Sequence, residues 1–227
     1  MTVRVLLITD RRLMAAHHGD FRAALAAALP YHRGHSRRSE VSLLIRDKDA
    51  APIERRALIN IACDVLPDDV PLLVSGHLPD DLAPPVLARI AGLHAPEAIA
   101  LAPMLRVLKT WARPALLGCS RHSVAGVVEA ASAGVSYVQF GPVWATPSKR
   151  GMGEPLGLEA VQQARAALQQ AGASTRLIAV GGIVDGSFAV LARAAGADGV
   201  AVIRGVWSST SPADQLGHIL QAVRPAT

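Results

Sequence analysis

The sequence predicts a single α/β domain, residues 1–227, folded as a (β/α)8 TIM barrel. Two observations carry this expectation: eight apolar runs separated by Ala- and Leu-rich helical patterns, and near-even spacing between them. The runs are continuous rather than alternating, as parallel strands covered on both faces require. Strand starts at 3 and 198 leave seven repeats of about 28 residues each, close to the roughly 30 of one barrel unit. An open doubly wound sheet is the alternative, but no GxGxxG follows the first run.

In chain order, "VRVLLITD" (3–10) opens the barrel and the helical "FRAALAAAL" follows it. "VSLLIRD" (41–47), the helix "ERRALINIACDVL" and "PLLVSG" (71–76) come next. "IAGLHA" (90–95) and "PALLGCS" (114–120) form the fourth and fifth strands, and the helix "VAGVVEAASAG" follows. "SYVQFGPV" (136–143) is the sixth strand, with the helix "LEAVQQARAALQQAG" behind a long loop. "RLIAVGGI" (176–183), the helix "SFAVLARAAGA" and "DGVAVIRG" (198–205) complete the set. Glycine closes several of these helices, because it adopts the left-handed conformation that ends them.

Composition narrows the function classes. Hydrophobic residues at 51% against 18% charged describe a chain that buries well, the opposite of a disordered one. The net charge of +5 owes much to "YHRGHSRRSE" (31–40), a local patch suited to anions. Aromatics at 4% and the lack of basic runs interleaved with them argue against a nucleic-acid platform. Cys63 and Cys119 have no CxxC spacing, so neither a redox dithiol nor a disulfide framework is indicated. No apolar run reaches the length of a membrane span, and the N-terminal run is too short for a signal peptide, so a cytoplasmic enzyme is expected, with a homodimer as the default assembly.

Barrels of this kind work at the carboxyl ends of their strands. Thr9 and Asp10 follow the first strand, Arg46 and Lys48 the second, Ser75 and His77 the third, and His94 the fourth. Ser120 and His122 follow the fifth, Thr146, Ser148 and Lys149 the sixth, Gly181 and Gly182 the seventh, and Arg204 and Gly205 the eighth. The "AVGGI" and "AVIRG" ends suit a phosphate held on backbone amides, the plainer reading being a tight strand-to-helix turn. Two hydroxyls and an ammonium at 146–149 can wrap a phosphate, the plainer reading being a polar lid. Arg46 and Lys48, two residues apart, face one side and offer paired cations, unless they serve only a surface ion pair.

His122 lies where a strand ends and a helix begins, placed to exchange a proton near neutral pH, while Ser123 suits the helix N-cap. His77 and His94 share that face with weaker neighbours; His17, His18, His32, His35 and His218 fall off it. A hard cation wants carboxylates, and the third and fourth strand ends supply only Glu97 nearby, so the expected site holds no metal. HxH and HExxH spacings, which would suggest zinc, are absent.

"LLITDRR", "LLIRDKD", "GCSRHS", "YVQFGPVWATPSKRG", "PLGLEAV", "IAVGGI" and "AGADGVAVIRG", in order along nearly the whole chain, resemble the thiamine phosphate synthase and TenI superfamily. The resemblance implies a barrel that binds thiazole phosphate. The synthase branch couples a pyrimidine diphosphate to thiazole phosphate and holds Mg²⁺ on an "ND" after the third strand and a further Asp after "HLGQ". Here those places read Ser75, Gly76 and Ile99. The TenI branch, thiazole tautomerase, lacks the metal acids and carries a histidine after the fifth strand, which "SRHS" matches with His122. The resemblance thus implies a cofactor-free isomerase in which His122 carries a proton between ring-adjacent carbons. Its ligand would be held by Arg46, Lys48, Ser120, Thr146, Ser148, Lys149, Gly181, Gly182, Arg204 and Gly205. "TPSK" resembles the synthase's diphosphate-holding element and keeps synthase activity as an alternative; a silent thiazole or thiamine phosphate binder is another.

Overall fold

A computed structural model describes residues 3–29, 40–146 and 154–224. The basic stretch 31–39 and the loop residues Ser148 and Lys149 lie outside the described residues.

The chain opens with β1 (Val5–Ile8), α1 (Arg11–His18), α2 (Phe21–Ala28) and β2 (Val41–Ile45). Next come α3 (Pro52–Val65), β3 (Leu72–Ser75), α4 (Pro84–Arg89), β4 (Ile90–Ala95) and α5 (Leu101–Lys109). They are followed by β5 (Leu116–Arg121), α6 (Val124–Ser132), β6 (Tyr137–Phe140), α7 (Gly157–Gln170) and β7 (Arg176–Val180). The chain finishes with α8 (Gly186–Ala194), β8 (Gly199–Val202), α9 (Arg204–Trp207) and α10 (Pro212–Ala222). All neighbouring strands pair in parallel, and β8 returns to β1 through Val5↔Val200, so the eight-stranded barrel closes. The fold expected from the spacing is the fold observed.

Strand period 2 sorts the apolar runs into two cores. Leu6, Ile8, Leu44, Leu73, Tyr137, Ile178 and Ala201 fill the barrel interior. Val5, Leu7, Leu43, Ile45, Leu72 and Val74 point outward under the helical layer. Because both faces are dry, the runs carry no polar alternation.

The ladders stop short of the apolar runs, for local reasons. Asp10 leaves β1 to cap α1, accepting from Leu13 N at 3.0 Å. The β6 run ends at Phe140 because Pro142 has no N–H to give a ladder. Asp20, Ser123 and Asp185 cap α2, α6 and α8 in the same manner. The caps of α1, α6 and α8 start helices within a few residues of the ends of β1, β5 and β7, which keeps those connecting loops short at the carboxyl face.

Candidate active site

The β1 and β2 ends are tied together by a buried carboxylate. Thr9 Oγ1 donates to Asp47 Oδ2 at 2.6 Å, and Arg11 N donates to Asp47 Oδ1 at 2.7 Å. Arg46 N in turn donates to Thr9 Oγ1 at 3.1 Å. The Asp47 charge is therefore committed to the loop, and among the described residues the Arg46 guanidinium forms no salt bridge. Burial draws the Arg46 pKa down, against the pull of Asp47 and Asp10. The Lys48 pKa is also lowered, chiefly by the Arg46 charge and then by burial. A partly buried arginine that depresses a neighbouring lysine makes a place where an anion is welcome.

β4, β5 and β6 deliver a buried polar chain beside these cations. His94 Nδ1 lies 3.0 Å from the Tyr137 hydroxyl, and His94 Nε2 lies 2.9 Å from Ser120 Oγ. The two rings stack with centroids 5.7 Å apart. Burial, with Arg46 and Arg121 adding to it, pushes the His94 pKa down to about 3, so the imidazole is neutral. This corrects the expectation that His94 has the weaker surroundings: it is fully enclosed and both its nitrogens are engaged. The polar chain exists because β5 carries Gly118, where any Cβ would strike the Tyr137 ring. Ser120 is partly exposed, so its hydroxyl joins this interior chain to the working face.

The β6, β7 and β8 ends close around glycines. Gly181 and Gly182 have φ of 98° and 74°, in the left-handed region that favours glycine. A Cβ on Gly181 would lie 2.7 Å from Pro142 Cα, and one on Gly182 would lie 2.5 Å from Trp144 Cβ. On Gly205 it would lie 2.8 Å from the carbonyls of Ile183 and Val184. The structure thus brings Gly181, Gly182 and Gly205 together, and close chain approach demands glycine at each. Thr146, partly buried, ends the described part of the β6–α7 loop, and Arg204 is exposed.

His122 stands at the rim. Its Nδ1 is bound to the Gly141 carbonyl, which requires that nitrogen to be the donor. Its Nε2 lies 4.0 Å from Glu97 Oε2, and the side chain is 45% exposed. Ser123 Oγ accepts from Gly126 N at 3.1 Å as the cap of α6. Cys119 is buried among apolar groups that push its thiol up to about 11, so it is an inert packing residue.

Two functional candidates escaped the sequence reading. Arg121 is only 9% exposed, donates from Nη1 to Ser120 O at 2.7 Å, and acts on His94 alongside Arg46. Arg55 projects from the first turn of α3 toward Gly76 at the end of β3. Both resemble ordinary surface arginines in "SRHS" and "IERR"; only the closure of the barrel turns them toward the strand ends.

The model of the family described as thiamine monophosphate synthase matches residues 5–206. The chain belongs to the thiamine monophosphate synthase family. Among the curated family relatives, the thiamine-phosphate synthase of Roseiflexus castenholzii is 32% identical over 212 residues, covering 92% of this chain and 82% of that one. The thiamine-phosphate synthase of Geobacillus kaustophilus is 34% identical over 111 residues, 49% of this chain and 48% of the relative. The chain thus spans about half the length of the Geobacillus kaustophilus relative and of others that it matches. Among solved structures, thiamine phosphate pyrophosphorylase from Pyrococcus furiosus superposes with a TM-score of 0.67 at 20% identity, covering 97% of this chain and 95% of that one, a likeness of fold.

These relatives carry the synthase name, and nothing among them points to the TenI branch, so the expectations of a thiazole tautomerase and of isomerase chemistry are overturned. The role of His122 as the proton carrier of that reaction falls with them. A histidine after β5 and the missing acids resemble the tautomerase branch locally, whereas the similarity along the length of the chain is to synthases.

The Mg²⁺ that the synthase resemblance implies does not fit the described residues. Gly76 offers no side-chain oxygen, Ile99 offers a methyl group, and the Arg55 guanidinium lies beside Gly76. Among the described residues no group of three or more His, Cys, Asp or Glu side chains is placed to hold a metal ion. A hard cation takes oxygen ligands, and a guanidinium beside it would repel it.

Proposed function

We propose that this chain is a thiamine-phosphate synthase, a transferase that joins a pyrimidine diphosphate to thiazole phosphate. The observation that carries the reading is the 32% identity to the Roseiflexus castenholzii synthase along 92% of the chain. The geometry supports it. Arg46 and Lys48 form a cationic pair at the β2 end, and Arg121 acts on the same buried His94 as Arg46 does. Such a cluster suits an anion carrying more than one charge.

In the reaction, the thiazole nitrogen lone pair forms a C–N bond to the methylene carbon of the pyrimidine. The C–O bond to diphosphate breaks, and its electron pair leaves with the diphosphate. Negative charge therefore grows on the leaving group, where fixed cations stabilise it most. In this reading Arg46, Lys48 and Arg121 hold the diphosphate. The amides near Gly181, Gly182 and Gly205 hold the thiazole phosphate, and Ser120 orients the pyrimidine through the His94–Tyr137 chain. Thr146, Ser148 and Lys149 supply hydroxyls and an ammonium to the phosphates, and Arg204 adds a further charge. A cytoplasmic homodimer remains the assembly we propose, with small-molecule partners only. Among the described residues no helix is long and apolar enough to cross a membrane.

Incubating the purified protein with hydroxymethylpyrimidine diphosphate and thiazole phosphate, and measuring thiamine phosphate, tests the reading. Product formation that falls at least about tenfold in Arg46→Ala is expected. The lack of carboxylates at 75, 76 and 99 favours one other reading, a binder of thiazole or thiamine phosphate without turnover. Tight calorimetric binding of thiamine phosphate with no synthesis under either Mg²⁺ or chelator would establish that binder instead.

A further inference from the structure

Gly76 ends β3 with φ of 74°, and the side of its Cα where a Cβ would stand faces Arg55. That Cβ would lie 3.5 Å from Arg55 Nη2, 3.7 Å from Nη1 and 3.9 Å from Ile99 Cδ1. The guanidinium thus stands beside Gly76, one of the two positions at which the synthase resemblance implies metal-binding acids, and Ile99, the other, borders the same spot.

Arg55 is poorly compensated there. Its Nη2 is buried with no hydrogen-bond partner among the described residues. Its neighbour Arg56, by contrast, is paired with Asp81. Burial lowers the Arg55 pKa with no opposing carboxylate. Arg55 as a whole is only partly buried, but a guanidinium nitrogen shut from water without a partner is costly, and such groups occur where a ligand supplies the missing charge. There is room for one: Arg55 borders an open cavity of about 420 Å³ lined also by His77, Leu78, Asp80 and Asp81, the last of these paired with Arg56.

We propose that Arg55 takes the place of a divalent cation in this protein, its guanidinium receiving the diphosphate oxygens directly, so that diphosphate binding requires no metal. A guanidinium presents planar, paired donors that match two oxygens of a phosphate, and its charge does not depend on recruiting an ion. With Arg46 and Lys48 on the adjoining β2 end, the diphosphate meets fixed protein cations. The substrate class rests on the synthase reading; the chelator-resistant anion site does not.

The test is calorimetric titration of inorganic pyrophosphate into the wild-type protein, once with excess EDTA and once with Mg²⁺. We expect dissociation constants within about threefold of each other. In EDTA, Arg55→Ala should weaken binding about tenfold to a hundredfold, and Arg55→Lys by less, because one ammonium replaces only part of the fork. Circular dichroism and thermal melting confirm that both variants fold. Binding that tightens about tenfold or more with Mg²⁺ overturns the proposal, as does an unchanged constant in a folded Arg55→Ala protein, or no binding in either buffer. Pyrophosphate binding that persists in EDTA without any thiamine phosphate synthesis would defeat the synthase reading alone. Synthesis that stops in EDTA would defeat the Arg55 proposal alone.

Discussion

His94 Nε2 and Ser120 Oγ lie 2.9 Å apart, so the wholly enclosed imidazole of β4 is wired to the hydroxyl that β5 presents at the working face. With Tyr137 engaging the other ring nitrogen, the three groups form a neutral hydrogen-bonded chain across three adjacent strands. A neutral imidazole carries one N–H, so one hydroxyl donates to the ring and the other accepts from it. The chain has a direction, and Ser120 is its outer end.

This burial makes stability fall on the acid side. Unfolded His94 takes up a proton near the usual value of about 6.5, whereas the folded group resists protonation until about 3. Between those values protons favour the unfolded state, so stability drops as pH falls. From pH 7 to pH 5 the loss attributable to this group is about 2 kcal/mol. Denaturant unfolding at the two pH values should show that difference shrinking by a similar amount in His94→Gln. An unchanged difference would mean that His94 is not enclosed as described.

Gly118→Ala should destabilise the protein by about 3 kcal/mol, because the added methyl would overlap the Tyr137 ring. The ring cannot retreat, being 1% exposed in the barrel interior. Tyr137→Phe should restore little of this loss, since the clash is with ring carbons rather than the hydroxyl. Chemical denaturation of the two single variants and the double variant measures the coupling.

Arg46→Met should raise the pKa of the Lys48 ammonium, since the Arg46 charge is the principal cause of its depression. Carbon-detected NMR titration of the lysine side chains reads this directly. An unmoved Lys48 titration would show that the two cations do not share a site.

Gly182→Ala places a methyl 2.5 Å from Trp144 Cβ on a backbone with φ of 74°. Both the clash and the left-handed strain act, and a loss of about 2 to 4 kcal/mol is expected. Trp144, which packs edge-on against Phe188 at 5.0 Å, should move, so the tryptophan fluorescence should change together with the weakened affinity for thiazole phosphate. A native spectrum and native affinity would indicate that the β6 loop does not run against β7.

Much of the architecture was legible because it depends on local pattern. Continuous apolar runs at even spacing admit few arrangements other than parallel strands covered on both faces, and "IAGLHA" coincides with β4 residue for residue. The strand-end address of Arg46, Lys48 and the glycines followed from that pattern, since chain order places each beyond a strand, whereas Ser120, expected after the fifth strand, is the penultimate residue of β5. Ranking them did not follow. His122 stood out for its neighbours in sequence, whereas His94 owes its importance to Ser120 and Tyr137, 26 and 43 residues away.

What the sequence determined by itself was the barrel, the carboxyl face to which its strands deliver their polar residues, and the shortage of acids at the β3 and β4 ends. The tertiary structure alone decided which side chains share that face's interior: Arg55 beside Gly76, and His94 between Tyr137 and Ser120. The reason is physical. Strand and helix periods are written in neighbouring residues, but burial and electrostatic pairing depend on distances between strands, and those exist only once the barrel has closed.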